Sequence, residues 1–213
     1  MRVETPATLP TADFPQQVQR LIDTGFPAAA NMTDEQFVAQ LEPLRRRADE
    51  LTQQTDGPSG FILVVTSALL PADKAMALIE IGGRSGYVGM DGAKPLEEFV
   101  PIPGLDIPAD PAYLLVDVET GRDTRDVTPT DALRHILSRG RSPLTIDEGI
   151  AVLTQVPDVL TRHNAYSLLG SRAGDKRVPA VWLSFKTPRL GWCWAGNPHS
   201  WLGSASCARR IGA

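Results

Sequence analysis

The chain has 213 residues, 42% of them apolar and 22% charged, and a formal net charge of −4. That length can bury a core without disulfide or metal staples, and the composition excludes disorder as the overall state. Eighteen glycines and eighteen prolines argue against a helical bundle and for many short elements.

Residues 1–13, rich in Thr, Pro and Ala, read as a loose arm, which leaves 14–213 as a single domain. Val18, Leu21 and Ile22 follow helical spacing, and Gly25 ends that helix. Thr33-Asp34-Glu35-Gln36 is a capping box. An apolar helical face continues through Phe37, Val38, Leu41, Leu44, Ala48 and Leu51, and Pro43 predicts a kink or two abutting helices. Arg45, Arg46 and Arg47 spread around that helix among acids and read as a solvated face. Phe61–Val65 is a buried strand by length and β-branching. Residues 71–80 read as a helix with Pro71 at its start, and 87–90 as a second strand after the Gly82-Gly83 turn. The proline-rich loop 100–111 is the one candidate sub-boundary. Residues 113–118 form a strand. Thr128, Pro129 and Asp131 open a helix that Gly140 ends. Thr145-Ile146-Asp147-Glu148 is a second capping box, for a helix through Gln155 that Pro157 stops. Residues 178–185 and 190–194 are strands of a hairpin, and 197–207 has the composition of a loop, except that Trp201 and Leu202 need somewhere to bury. The expected fold is α+β: N-terminal helices with a mixed, mainly antiparallel sheet and a C-terminal hairpin.

The chemistry-bearing residues crowd into the last fifty-one positions, 163–213. All four tryptophans (Trp182, Trp192, Trp194, Trp201), both cysteines (Cys193, Cys207) and two of three histidines (His163, His199) lie there. Residues 1–133 carry 10 Lys+Arg against 21 Asp+Glu, while residues 134–213 carry 11 against 4. His163, Cys193, His199 and Cys207 lack the close pairing of zinc ligands, so no metal is expected. A general base at His163 or His199, with Cys193 or Cys207 as nucleophile, is one enzymatic arrangement. Gly203-Ser204-Ala205-Ser206 lacks the second glycine of a nucleophile elbow. Residues 169–177 combine two glycines with Ser171, Arg172, Lys176 and Arg177, groups that suit an anion. Trp192, Trp194 and Trp201 could stack on a ring, with Asn197 nearby. In Trp192-Cys193-Trp194 the two tryptophans and the thiol must point to opposite faces. Asp117, Asp147 and Glu148 could complete a site, but Asp147 and Glu148 already serve a helix first turn and are set aside.

Ser167-Leu168-Leu169-Gly170-Ser171-Arg172, Leu190-Gly191-Trp192-Cys193-Trp194 and Asn197-Pro198-His199 through Cys207 carry a resemblance. So do Leu21-Ile22-Asp23-Thr24-Gly25-Phe26 and Pro143 through Gly149. The chain resembles an actinobacterial family of uncharacterised proteins over most of its length, which implies one domain and brings no activity or cofactor with it.

The expectation is therefore a cytoplasmic protein that binds a small anionic ligand, a nucleotide or phosphorylated metabolite, at its basic Trp-rich end. An enzyme with His/Cys chemistry in the same region is the alternative, and an interaction module using the acidic helices is a third reading. The acidic balance disfavours nucleic acid. The longest apolar run is too short to span a bilayer, and no leader is read at the start, so no membrane partner is expected.

Overall fold

The computed structural model describes Leu9, residues 13–53 and residues 60–213. The arm expected over 1–13 lies outside the described residues except for Leu9 and Asp13. The rest is one α+β domain built around two sheets and a buried helix between them.

The first sheet is antiparallel, with Ala112–Val116 in the middle, Phe61–Val65 on one side and Arg209–Ile211 on the other. Phe61–Val65 and Ala112–Val116 are buried along their whole length, as their unbroken apolar runs require. The open edge of Phe61–Val65 would expose unpaired backbone groups. Gln17, on the helix Phe14–Thr24, covers it. Its Nε2 donates to Phe61 O at 2.8 Å, and its Oε1 accepts from Leu63 N at 2.8 Å. One buried amide thus substitutes for a neighbouring strand.

The second sheet has five strands in the order Leu202–Ser204, Ala165–Ser167, Arg177–Ser184, Thr187–Trp194, Tyr87–Val88. Its three central strands are antiparallel and its two outer pairings are parallel. The helix Ile146–Gln155 lies between the sheets, packed on Phe61–Val65 and taking a hydrogen bond from Tyr166 Oη to Gly149 O at 3.0 Å. Its burial on nearly every face follows from this position. The helix Pro129–Ser138 covers the opposite face of the second sheet through Ala132, Ile136, Leu169 and Val178.

Local signals predict most of these elements. Both capping boxes form, at Thr33 and at Thr145. Pro43 sits in a 3₁₀ turn, Glu42–Leu44, between two abutting helices. Arg45 pairs with Glu42, and Arg46 and Arg47 with Glu50, as a solvated face. Three expectations need adjustment. The helix after Pro71 is shorter, Ala72–Leu78, because Glu80–Ile81 turns into a small hairpin with Arg84–Ser85. The C-terminal hairpin is longer and its turn tighter: only Phe185 and Lys186 separate the strands, both at positive φ. Part of the loop read over 197–207 is strand, because Leu202–Ser204 pairs with Ala165–Ser167 and Ser206–Cys207 with Ser142–Pro143. Gly203 also lets this strand pass close over the Thr120-Gly121 backbone, since a Cβ there would stand 2.3 Å from Gly121 O.

Candidate functional site

A cleft of about 570 Å³ opens at the N-terminal end of the buried helix. Pockets of this size are typical of small-molecule sites. Its apolar walls include Val88, Leu96, Phe99, Val100 and Ile107, and its polar groups are Ser67, Asp73, Glu97, Tyr113, Thr145, Asp147 and Ser171. Every charged side chain in this lining is acidic.

Ser67, Tyr113, Thr145, Asp147 and Ser171 are held in place by hydrogen bonds. Thr66 closes the strand Phe61–Val65 by donating its N–H and its hydroxyl to Pro111 O, at 2.9 and 3.0 Å. Ser67, the next residue, is thereby set over the helix. Its N–H donates to Asp147 Oδ2 at 2.9 Å, and its hydroxyl donates to Asp147 Oδ1. Ser171 arrives on the other side, and its Oγ accepts from Ile146 N at 3.1 Å. The chain can come this close because Gly170 has no Cβ; one there would meet Leu144 O and Pro143 O at 2.7 Å.

Beneath the cleft floor, Glu148 is fully buried. It accepts from Tyr113 Oη at 2.8 Å, from Thr145 N at 2.7 Å, and from Arg210 Nε and Nη2. Burial pushes the Tyr113 hydroxyl far above its usual range, with the Glu148 charge adding to the effect. Asp147 differs from Glu148. Burial raises its carboxyl above the ordinary value of 3.8, the Ser67 hydrogen bonds pull it back, and the Glu148 charge raises it further. Glu148 completes the capping box and Asp147 is not needed for it. Asp147 is therefore a carboxyl at the cleft with a raised affinity for a proton and acceptor positions to spare.

Of the site residues retained from the sequence, Ser171 alone lines this cleft, together with Asp147, which the sequence reading weighs and sets aside. The basic Trp-rich end forms a different surface. Trp192 and Trp194 meet edge to face at 4.9 Å, and the Arg177 guanidinium lies 4.8 and 5.0 Å from their ring centres. Arg177 is also paired with Asp175 at 2.8 Å. The alternation in Trp192-Cys193-Trp194 resolves with the thiol turned toward the helix Pro129–Ser138 and the tryptophans on the opposite face with Arg177. Trp201 packs edge-on against Trp182 at 6.4 Å and beside the His199 ring at 5.3 Å. Lys176 and Asn197 are exposed, as is His163.

Among the described residues, no side-chain hydrogen bond joins His163 or His199 to a thiol or a carboxyl; the His199 carbonyl accepts only from the Asp126 backbone N–H, at 3.0 Å. Cys193 lies 3.7 Å from Ser167 Oγ, and burial raises its thiol pKa. The Cys207 thiol is fully buried and is pushed up to about 12 by that burial, so it carries its proton at neutral pH. Asp117 accepts from Arg141 Nη1 at 2.8 Å. No group of three or more His, Cys, Asp or Glu among the described residues is placed to hold a metal ion. No described helix is long and apolar enough to cross a membrane.

Residues 20–213 match a family of unknown function, DUF5701. The chain belongs to that family. Neither the comparison with curated proteins nor that with solved structures gives a match. The sequence reading passed over Asp147, Ser67 and Tyr113. Asp147 carries one usable signal: with Glu148 sufficient for the capping box, the helix dipole is the one local task left to a second first-turn acid.

Proposed function

We propose that this DUF5701 protein binds a small, mainly apolar molecule bearing an amine in the cleft above the buried helix, with Asp147 as its anchor. The observation that carries the reading is an acidic carboxyl, raised in pKa by burial, in a cleft whose charged lining is entirely acidic. An ammonium group would supply the missing counter-charge, and the apolar walls would take the rest of the molecule. Two Ser67 donors fix the carboxylate's orientation before the ligand arrives, which lowers the ordering cost of binding.

Because the ionised carboxylate is the binding form, affinity should rise as pH rises through the Asp147 pKa. Thermal unfolding in the presence of matched amines, alcohols and acids tests the proposal. Amines should stabilise the wild type and lose that effect in Asp147→Asn. Equal stabilisation by the acids, or an undiminished amine effect in the variant, overturns it.

A cytoplasmic, actinobacterial setting remains part of the proposal. It rests on the two cysteines being thiols and on the phrases spread between residues 167 and 207. The anionic-ligand reading of the basic end keeps one specific observation in its favour, the unpaired Arg172.

A further inference from the structure

We infer that the half-buried guanidinium of Arg172 anchors a second site, separate from the cleft, for a small oxyanion such as a phosphate, sulfate or carboxylate group. The other arginines among the described residues that are partly or largely buried all have partners. Arg45 reaches Glu42, Arg125 reaches Asn164, Arg141 reaches Asp117, Arg177 reaches Asp175, Arg189 reaches Asp91 and Arg210 reaches Glu148. Among the described residues, the Arg172 side chain alone of these makes no hydrogen bond or ion pair, and its Nη1 is shut off from solvent. A charged donor left unsatisfied inside a protein is expensive, and such groups are normally paired with protein, water or an ion.

The surroundings narrow the ligand. Asp175 is the acid that acts electrostatically on Arg172, but its two oxygens are held by Arg177 N and Nη1, both at 2.8 Å. The Nε–Nη2 edge of Arg172, which unlike Nη1 is not shut off from solvent, is therefore left for an oxyanion to grip with two hydrogen bonds. Ser171 and Arg172 are consecutive in a strand, so their side chains leave opposite faces. Ser171 faces the acidic cleft, and Arg172 is directed away from the cleft's acids, on the side where the nearby acid, Asp175, is already paired with Arg177. The Cys193 thiol lies within electrostatic reach of Arg172 and next to Ser167 Oγ. It can therefore report on whatever occupies the guanidinium.

The experiment compares the wild type with Arg172→Gln and Arg172→Lys in phosphate, sulfate, acetate or chloride at constant ionic strength. Two readouts are followed: the thermal midpoint, and the rate at which neutral iodoacetamide alkylates Cys193, mapped by peptide mass. Fully buried Cys207 serves as the internal control. In the wild type, phosphate should raise the midpoint saturably. It should also slow alkylation several-fold, because a bound anion cancels the charge that favours the thiolate. Arg172→Gln should show neither effect, and Arg172→Lys a weakened one. A response to sulfate like that to phosphate marks a tetrahedral-anion site, and a response to acetate alone marks a carboxylate site. The inference fails if no oxyanion differs from chloride in the wild type, or if Arg172→Gln responds as the wild type does. Asp147→Asn should keep both phosphate effects, so this site and the cleft stand or fall separately.

Discussion

Replacing Arg210 by methionine strips Glu148 of its counter-charge while leaving it enclosed. The Arg210 side chain is 3% exposed and the Glu148 side chain 0%. The substitution removes both guanidinium contacts to Glu148 and those to Ser142 Oγ and Pro143 O. Tyr113 Oη and Thr145 N remain as donors, but they carry no charge. Breaking a buried ion pair from one side costs about 3–5 kcal/mol. That is a large share of the total stability of a domain, about 5–15 kcal/mol. For a domain of this size each kcal/mol is worth about 2–4 °C, so the midpoint should fall by about 6–20 °C. Urea unfolding and calorimetry give the number. The double variant Glu148→Gln with Arg210→Met keeps an acceptor for Thr145 N and removes the stranded charge. It should lose less than the sum of the single changes, by about 0.5–3 kcal/mol. A loss below about 1 kcal/mol for Arg210→Met alone, within the range of an exposed pair, would refute the claim that this pair is buried and structural.

Three further outcomes follow from the same geometry. Asp147 has a folded pKa above its ordinary 3.8, so its ionisation works against folding. The stability of Asp147→Asn relative to wild type should therefore improve as pH rises from below 3.8 toward neutrality, and a pH series of urea unfolding curves checks the sign. Gly203→Ala would place a Cβ 2.3 Å from Gly121 O and 2.5 Å from Thr120 O, both backbone atoms. It should cost at least about 1–3 kcal/mol, the usual range for overpacking, measured by calorimetry. Phe185 and Lys186 form the hairpin turn at φ 50° and 66°, with Phe185 94% exposed. Changing them to Asn-Gly should stabilise the protein by about 1–2 kcal/mol in urea unfolding, because non-glycine residues resist the left-handed region.

What the sequence discloses depends on whether the deciding interaction is local. The capping boxes at Thr33 and Thr145, the Thr128-Pro129 helix start and the strand Phe61–Val65 are written within a few residues, and each is found where expected. The hairpin turn is hidden because Phe-Lys does not advertise positive φ as Asn-Gly does. Leu202–Ser204 and Ser206–Cys207 are hidden because small polar residues read as a loop; only their partners, Ala165–Ser167 and Ser142–Pro143, make them strands. The cleft is the least legible feature. Ser67 and Asp147 stand eighty residues apart, and Asp147 looks fully employed as a first-turn acid. The concentration of tryptophan and cysteine near the C-terminus instead drew attention to Arg177, Trp192 and Trp194, which form a cation–π cluster around an arginine already paired with Asp175.

The central claim is that a small apolar amine is held at Asp147. Backbone-amide NMR during titration with such an amine locates its contacts directly. The account predicts saturable shifts centred on Ser67, Val88, Asp147 and Ser171, abolished in Asp147→Asn and unchanged by Arg172→Gln. Shifts centred instead on Arg177, Trp192 and Trp194, with those four amides unmoved, would contradict it.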